Sequence, residues 1–291
     1  MIGGLSEHGR LRRVLVKHAR EAFVSDEQIN GQWQRLNYSA PPDFSRAVAE
    51  YDRFLEILAG SGAEIVYLPH RDAVNLDSIY TRDASVLSAD GVILCSMGKQ
   101  ARAAEPVTQG HELRRQGSRI AGSIAPPGLL EGGDFVWLDA RTCVVGEGRR
   151  TNAAGIRQLR ALLGESFDDL IVVPLPEYPG QHDVMHLMSL ISPVDKDLVV
   201  VYPRLLPVPL RMRLLERGYR LVEVPDEEFE TMGVNVLALA PRECVMLNGN
   251  PATRAALEAA GAAVHAYDGL EISLKGGGGP TCLTRPLARA E

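Results

Sequence analysis

Hydrophobic and polar positions along the chain recur in a unit of about 50 residues. In one copy, a short apolar run over 133–137 is followed by a second run over 142–145, and both have the length of a strand. A helical pattern over 152–163 comes next, and a third apolar run over 170–174 ends at a proline. The pattern therefore predicts a strand–strand–helix–strand unit, ββαβ.

The same order of elements appears in three further copies, which occupy 78–115, 186–225 and 234–267. A fifth copy is divided between the two ends of the sequence. Its N-terminal part, 13–69, supplies a strand, a helix and a second strand, and its C-terminal part, 280–284, supplies the remaining strand. The chain is therefore predicted to contain five related units.

The divided unit contains a clear amphipathic helix over 44–59. Asp43 and Ser45 are both candidate N-caps, and Gly60 ends the pattern. One stripe of apolar residues is predicted to be buried: Val48, Tyr51, Leu55 and Leu58.

Units of this kind cannot bury their hydrophobic faces alone, so we expect them to pack against one another. Division of one unit between the two ends of a chain closes a circular array. We therefore expect an α/β fold, a five-unit pseudosymmetric α/β propeller of ββαβ repeats, with residues 1–291 forming one domain. The alternative is an open α/β sheet with ordinary crossover helices, and the repeat favours the propeller.

Composition excludes several classes of function. The 291 residues are 45% hydrophobic and 23% charged, as expected for a globular protein with a large core. The net charge of −6 and the lack of a Lys/Arg run argue against a nucleic-acid partner. No apolar stretch approaches the roughly 20 residues of a membrane span, and the N-terminus lacks the apolar core of a signal peptide. We expect no membrane partner and a cytoplasmic location.

The four cysteines have no paired spacing that would indicate a disulfide framework or a zinc site. Cys95, Cys143 and Cys244 fall among apolar residues of a predicted second strand, which is typical of buried core thiols. Cys282 differs, because it closely follows the four glycines 276–279, where another group can approach the backbone. It is therefore a candidate nucleophile. A flexible loop or phosphate cradle is the alternative, but no Gly-Lys-Ser/Thr follows the glycines.

Two pairs of acidic residues are candidate ligands for a cation. Asp77 and Asp83 would share one face of the chain if their segment is extended, because strand side chains alternate. Two acids on one face favour a cationic ligand between them. Glu131 and Asp134 flank two glycines at the start of a predicted strand, where a tight turn with a capping Asp is the alternative.

His182 and His186 have the four-residue spacing of a zinc-binding helix. The zincin motif requires Glu directly after the first histidine, together with a third ligand. Asp183 stands at that position, and strand-type residues follow at once. We therefore expect no metal site.

Taken together, these segments resemble the guanidine-modifying enzyme superfamily, also called penteins. Its members include arginine deiminases, dimethylarginine dimethylaminohydrolases and arginine:glycine amidinotransferases. Each motif is weak alone, but six in the same order across nearly the whole chain are specific. They are Asp-Ser-Ile-Tyr-Thr-Arg-Asp at 77–83, Arg-Ala-Ala-Glu at 102–105, Leu-Glu-Gly-Gly-Asp at 130–134, Gly-Arg-Arg-Thr-Asn at 148–152, His-Leu at 186–187, and Gly-Gly-Gly-Gly-Pro-Thr-Cys at 276–282.

The resemblance implies a role for each matched position. Cys282 would be the nucleophile and His186 the general acid/base. Glu131 would hold the guanidinium beside that histidine, and Asp77 and Asp83 would be further guanidinium ligands.

Two arginines, Arg102 and Arg150, match positions that bind the carboxylate end of amino-acid substrates, for which bidentate Arg is suited. A surface arginine is the alternative for each.

The implied chemistry is covalent. Resonance makes a guanidinium a poor electrophile, so carboxylates would orient it for attack by the thiolate. His186 would protonate the departing nitrogen, leaving a thiouronium on Cys282, and would then deprotonate the incoming water. The resemblance implies no metal and no organic cofactor.

The chain departs from the family pattern at one informative position. In arginine deiminases and in transferases of the superfamily the histidine motif reads His-x-Asp, whereas here Met188 takes the place of the acid. A substrate N–H without that acceptor would cost about 1–3 kcal/mol. We therefore expect an N-substituted arginine as the substrate, as for dimethylarginine dimethylaminohydrolases. Arg82 instead resembles the deiminase pattern.

Alternatives remain within and outside the enzymes. An arginine deiminase, an arginine dihydrolase or an amidinotransferase would use the same covalent intermediate. A ribosome-binding propeller family lacks the Cys–His–Glu set, so Cys282, His186 and Glu131 argue against that function. The expected partner is a small guanidino compound, and an exposed propeller face is compatible with a homodimer. We expect the segment 28–43 to be a lid over the pocket, with an ordered surface loop as the alternative.

Overall fold

The computed structural model describes residues 5–177 and 185–290. Within these residues the backbone forms five three-stranded sheets and seven α-helices. The strands are β1 Arg10–Val16, β2 Glu64–Tyr67, β3 Ser85–Ser88, β4 Gly91–Leu94, β5 Ile120–Ser123, β6 Phe135–Trp137, β7 Thr142–Glu147, β8 Asp169–Pro174, β9 Ile191–Asp195, β10 Leu198–Val201, β11 Arg220–Glu223, β12 Leu237–Ala240, β13 Glu243–Leu247, β14 Ala263–Tyr267 and β15 Thr284–Ala290. The helices are α1 Ala19–Ala22, α2 Asp26–Gln32, α3 Phe44–Gly60, α4 Glu105–Arg115, α5 Ala153–Leu163, α6 Val208–Glu216 and α7 Pro251–Ala259.

All five sheets share one topology. The middle strand pairs antiparallel with one neighbour and parallel with the other, in the orders β15-β1-β2, β3-β4-β5, β6-β7-β8, β9-β10-β11 and β12-β13-β14. The parallel pair in each sheet needs a crossover connection, which a helix supplies. The predicted five ββαβ units are therefore present as five separate sheets, and the alternative of one open sheet is wrong.

The divided unit is assembled from both ends of the chain, as the sequence predicts. β1 pairs with β15 antiparallel, with Val14 opposite Pro286. The other edge of β1 pairs with β2 in parallel, with Val14 opposite Ile65. β15 leads directly out of the segment that holds Cys282, so this sheet anchors the predicted nucleophile.

The middle strands form the centre of the hydrophobic core. All four residues of β10 have no exposed surface. Runs that are apolar on both faces are typical of strands covered on both sides. Cys95, Cys143 and Cys244 are free and buried in the same way, which confirms their prediction as core residues.

The helix α3 confirms the amphipathic pattern. Asp43 is its N-cap and accepts a hydrogen bond from the backbone N–H of Arg46 at 2.8 Å. Val48 and Leu55 lie at the half-buried edge of the stripe. The fully buried positions are Ala47, Tyr51, Phe54 and Leu58. Among the described residues, no helix has both the length and the apolar character needed to cross a membrane.

The first strand of each undivided unit begins later than predicted, at 85, 135, 191 and 237 in place of 78, 133, 186 and 234. Short 3₁₀ helices precede β3, β6 and β9. These helices are Leu76–Ile79, Gly132–Asp134 and Leu187–Ser189.

The expectation that an extended segment places Asp77 and Asp83 on one face is consequently wrong. Asp77 lies inside the first 3₁₀ helix, where the side chain of Asn75 accepts its backbone N–H at 2.9 Å. This local hydrogen bond competes with strand formation, as Asn side chains commonly do.

Close packing of α5 on a neighbouring loop gives a stability prediction. A Cβ on Gly155 would lie 1.9 Å from the carbonyl oxygen of Leu129. We expect Gly155→Ala to lower the free energy of unfolding by about 2–3 kcal/mol, because backbone must shift. Gly31→Ala in α2 is the matched control, since a Cβ there meets nothing within 4 Å. It should be neutral or stabilising by roughly 0.5–1 kcal/mol. Urea unfolding of both variants measures the difference, and equal stabilities would contradict this packing.

Candidate active site

Polar side chains of three units meet where the first strands of those units begin. Asp77 lies in one 3₁₀ helix, Glu131 directly precedes the second, and His186 directly precedes the third. Asp83 belongs to the turn that leads into β3. The 3₁₀ segments thus bring together residues separated by up to about a hundred positions along the chain.

A hydrogen bond between Glu131 and His186 is the centre of the site. Oε2 of Glu131 lies 2.8 Å from Nε2 of His186, and Oδ1 of Asp83 lies 3.8 Å from the other ring nitrogen, Nδ1. Glu131 has no exposed surface, and 15% of the His186 side chain is exposed. The imidazole therefore lies between two carboxylates.

Each member of this pair stabilises the charged form of the other. Burial raises the pKa of Glu131, but the hydrogen bond and charge of His186, with the charge of Arg150, outweigh burial and leave that pKa well below its ordinary value. Burial lowers the pKa of His186, but Asp83, Asp134 and Glu131 raise it to about 9. The pair is therefore an imidazolium and a carboxylate at neutral pH.

Asp134 accepts hydrogen bonds from residues next to Glu131 and His186. It has no exposed surface, and its Oδ1 accepts the backbone N–H of Leu187 at 3.0 Å. Its Oδ2 accepts the hydroxyl of Thr151 at 2.7 Å, and the Thr151 hydroxyl accepts the backbone N–H of Glu131 at 3.1 Å. Burial raises the pKa of Asp134 to about 6, with Glu131 adding to the rise and His186 opposing it. Asp134 thus fixes the backbone beside both members of the pair.

The thiol of Cys282 is held by a neighbour that the sequence did not reveal. The side-chain amide of Asn235 donates to Sγ at 3.5 Å. The Oδ1 atom of Asn235 accepts the backbone N–H and the hydroxyl of Thr281, both at 2.9 Å. Burial is the largest cause that raises the pKa of the Cys282 thiol, and the charge of Asp83 is the second. The hydrogen bonds to the thiol lower that pKa by less. The thiol is therefore protonated at neutral pH in the absence of ligand.

Three of the four glycines before Cys282 confirm the expected close approach of other groups, whereas a Cβ on Gly277 would meet nothing within 4 Å. A Cβ on Gly278 would lie 2.4 Å from the ring of Tyr80, and one on Gly279 would lie 2.5 Å from the side chain of Asn235. Any larger residue would displace these two side chains. The segment is therefore packed against them, and the alternative of a loose glycine loop is wrong.

Arg82 forms hydrogen bonds with the segment that contains Thr281 and Cys282. It is fully buried, its Nε donates to the carbonyl of Thr281 at 3.0 Å, and its backbone N–H donates to the carbonyl of Cys282 at 3.2 Å. Its guanidinium pairs with Glu7 at 3.1 Å. Arg82 is therefore a positioning residue for the cysteine.

Lys99 is a second residue that the motifs did not single out. Its ammonium lies 3.0 Å from Oδ2 of Asp77 and donates to the carbonyl of Leu36 at 2.8 Å. Its backbone N–H donates to Oε1 of Glu131 at 3.0 Å. One residue thus contacts two of the predicted guanidinium ligands, and its ammonium shows that Asp77 accepts a cation.

The two predicted carboxylate-binding arginines are engaged with protein carboxylates. All three nitrogens of Arg102 donate to the protein, among them NH1 to Asp83 at 2.6 Å, and Nε and NH2 to Glu105 at 2.9 and 2.8 Å. NH1 of Arg150 lies 3.0 Å from Oε2 of Glu131. In this structure both arginines neutralise carboxylates of the site.

Met188 lies in the hydrophobic core. It is 3% exposed, belongs to the buried cluster that contains Val136 and Ile191, and lines a narrow cavity with Thr281. Thr281 is the residue that precedes Cys282.

The segment 28–43, which is predicted to be a lid, contacts residues of the site. The carbonyl of Leu36 accepts a hydrogen bond from the ammonium of Lys99, as described above. The backbone N–H of Ser39 donates to the carbonyl of Lys275 at 2.8 Å. Tyr38 is buried and packs so closely on Gly276 that a Cβ there would lie 2.7 Å from its ring. The segment therefore contacts both the glycines and the Asp77 side of the site.

Asp83, Glu131 and His186 also form a donor set with metal-ligand composition, since one ligand atom of each lies within 4.8 Å of the others. A metal ion would have to displace the proton of an imidazole whose pKa is raised to about 9. A guanidinium, by contrast, donates its N–H groups to carboxylates without that cost. His182, the other histidine considered for metal binding, lies outside the described residues.

Comparisons with known proteins identify the family of the chain. The arginine deiminase family model matches residues 72–218 and 206–289. An arginine deiminase of Rhodococcus erythropolis is 30% identical over 280 residues, which cover 81% of this chain and 66% of that enzyme. The uncharacterized protein YkgA of Bacillus subtilis is 27% identical over 290 residues, 98% of this chain and 95% of its own length.

A solved structure has the same fold. The DDAH (dimethylarginine dimethylaminohydrolase) from Pseudomonas aeruginosa, a Cys-to-Ser mutant complexed with citrulline, superposes with a TM-score of 0.76 over 96% of this chain and 99% of that one, at 21% identity. Fold, site and matches together define a guanidine-modifying hydrolase of the pentein superfamily, as the motifs predict. The chain belongs to the arginine deiminase family.

The electrostatics of the site predict how Cys282 titrates. We expect its alkylation by iodoacetamide to rise with pH around a midpoint above that of an ordinary thiol. Asp83→Asn removes a negative charge that disfavours the thiolate, so the midpoint should fall. Peptide mass spectrometry measures the rate at Cys282 apart from the buried cysteines.

The control for this experiment is Asp72→Asn, which changes a fully exposed carboxylate. It should leave the midpoint unchanged. An unchanged or higher midpoint in Asp83→Asn would mean that Asp83 does not act on the thiol.

Proposed function

We propose that the chain hydrolyses the guanidino group of an arginine-like substrate through a covalent thiouronium on Cys282. The observation that carries the proposal is the 2.8 Å hydrogen bond between Glu131 and His186, with Asp83 at the other ring nitrogen. This arrangement supplies a protonated imidazole and carboxylates for a cation at one place. Membership of the arginine deiminase family supports a guanidino group as that cation.

Binding of the substrate would use the buried carboxylates. Glu131, Asp77 and Asp83 would accept N–H bonds of the guanidinium and keep it oriented and protonated. The ammonium of Lys99 lies on Asp77 in this structure, so the substrate cation would take over that contact. Because the exchange replaces one cation by another, the carboxylate need not be left without a partner.

The bound cation would also activate the nucleophile. Its positive charge lowers the pKa of Cys282, whose thiol is otherwise protonated. The thiol loses its proton to water, and the resulting thiolate attacks the guanidinium carbon and forms the S–C bond. His186 donates its proton to one nitrogen, the C–N bond to that nitrogen breaks, and the amine or ammonia leaves.

The second half of the reaction would run in reverse order. His186, now neutral, takes a proton from water as the hydroxide adds to the thiouronium carbon. The S–C bond breaks and the thiolate of Cys282 is restored. The hydroxyl proton of the product passes to water, and a neutral ureido group, as in citrulline, leaves. Atoms and charges balance without an oxidant, a reductant or a cofactor.

Arg102 and Arg150 take different parts in this account. We propose Arg150 as the residue that meets the carboxylate end of the substrate. For Arg102, whose three nitrogens all donate to protein acceptors, we propose a positioning role through Asp83 in place of substrate binding.

For the substrate we favour an N-substituted arginine. Met188 offers no carboxylate for an unsubstituted guanidine nitrogen, and it lines a narrow cavity with Thr281, the residue before Cys282. Deimination of arginine itself is the second candidate, because the matched family and the Rhodococcus erythropolis relative carry that name. An arginine dihydrolase and an amidinotransferase are among the structural neighbours, at 16% identity each.

The arrangement of the sheets and the assembly are part of the same proposal. The five ββαβ sheets would stand around one axis as a five-unit propeller that makes residues 1–291 a single catalytic domain. The segment 28–43 would act as a lid, since its contacts with Lys99 and Gly276 lie at the substrate side. A homodimer through an exposed propeller face remains our expectation.

Product analysis tests the proposed function. The purified protein is incubated with arginine, monomethylarginine, asymmetric dimethylarginine, agmatine and guanidinoacetate, and ureido products and released amines are quantified by mass spectrometry. We expect citrulline together with methylamine or dimethylamine, formed faster from methylated arginines than from arginine. Cys282→Ser should lower the rate by about 10³-fold or more.

The outcomes separate the candidates. Ammonia from arginine at the higher rate would make the chain a deiminase and would remove the role assigned to Met188. Cys244→Ser, a change at a buried core thiol, is the matched control and should keep the activity of every folded molecule. Consumption of no guanidine, or equal rates in Cys282→Ser, would contradict the proposal.

A further inference from the structure

A second cavity lies apart from the candidate active site. It has a volume of about 400 Å³ and is enclosed by the residue after β1, the segment 68–84 and the helix α4. Cys282, His186 and Glu131 are not among its lining residues. Volumes of this size are typical of small-molecule sites.

Lys17 is a buried cation in the wall of this cavity. It is 2% exposed, and its ammonium has no hydrogen-bond or ion-pair partner within residues 5–177 and 185–290. Burial lowers the pKa of Lys17 to about 8, while the nearby charges of Glu105 and Glu21 oppose that shift. The ammonium is therefore mostly charged at neutral pH, and a buried charge without a partner is unfavourable. An anion in the cavity would remove this cost.

The acids in the wall already have other partners. Both carboxylate oxygens of Glu105 accept hydrogen bonds from Arg102, at 2.9 and 2.8 Å. Glu112 is paired with Arg115 at 2.6 Å. The wall is thus left with the positive charges of Lys17 and Arg71, which favour an anionic ligand.

A second polar group of the wall also has no partner. The Nε2 atom of Gln109 donates to the carbonyl of Thr81 at 2.9 Å, which fixes the orientation of the amide. Its Oε1 atom is buried without a hydrogen bond in the part of the chain that the structure describes. This oxygen can accept an O–H or N–H of a ligand. Apolar lining from Leu68, Val74 and Val107 favours an aliphatic body.

We propose that this cavity is a second ligand site, which binds a small aliphatic carboxylate with its carboxylate on Lys17. A hydroxyl or amino group beside the carboxylate would reach Gln109, and the aliphatic part would lie against the apolar lining. This site is independent of the proposed guanidine hydrolysis, because the two share no catalytic residue.

The test uses 2-hydroxy-4-methylpentanoate as the probe in isothermal titration calorimetry with the full chain. We expect saturable binding that weakens at least about tenfold for the corresponding primary amide, which lacks the charge. Lys17→Met, which keeps the length of the side chain, should weaken binding of the acid by the same factor. Lys196→Met, at an exposed lysine, is the control and should bind as the wild type does.

Two further measurements keep the result interpretable. Ala73→Phe fills the cavity from an exposed lining position, so it should abolish binding even if Lys17→Met does not fold. Cys282→Ser and an excess of agmatine, a guanidino compound without a carboxylate, should both leave binding unchanged, whatever reaction the active site performs. Equal binding of acid and amide, unchanged binding in Lys17→Met or Ala73→Phe, displacement by agmatine, or no saturable binding at millimolar concentrations would overturn the inference.

Discussion

Three carboxylates buried close together are the constraint on which the rest of the site depends. Ionised carboxylates in a protein interior are stable only if cations and hydrogen bonds compensate for lost water. Here each has such a partner: Glu131 has His186 and Arg150, Asp83 has Arg102, and Asp77 has Lys99. In the proposed function, a substrate cation would share these carboxylates with the protein cations or replace them. The same constraint that stabilises the empty site would then favour a guanidinium.

The network also sets the protonation states that the chemistry needs. With the pKa of His186 raised to about 9, the imidazole is ready to donate a proton at neutral pH. The thiol of Cys282, with its pKa raised by burial and by Asp83, is not ready to attack. A guanidinium bound among these groups would lower the pKa of the Cys282 thiol and so favour the thiolate, while His186 would stay protonated. In this account the nucleophile is therefore activated when the substrate is bound.

The sequence predicted what depends on local pattern and order. Apolar periodicity located the five units and the pairing of β1 with β15, and the motif order indicated the superfamily. It did not predict the 3₁₀ helices, because these depend on individual contacts such as the one between Asn75 and Asp77. Lys99 and Asn235 were missed because their contacts join distant positions and belong to no chemical motif. Asn235, for example, is 47 residues from Cys282.

The central claim is that Cys282 forms a covalent bond to the guanidine carbon, and rapid acid quench followed by intact-protein mass spectrometry tests it most directly. During turnover of the methylarginine that reacts fastest, the account predicts an adduct with the mass of the substrate minus the leaving amine, located on the peptide that contains Cys282. The adduct should accumulate in His186→Gly if loss of the general base slows its hydrolysis more than its formation, and it should be absent from Cys282→Ser. Turnover with no adduct on Cys282 in the wild type or in His186→Gly would contradict the covalent mechanism. An adduct that persists in Cys282→Ser would contradict it as well.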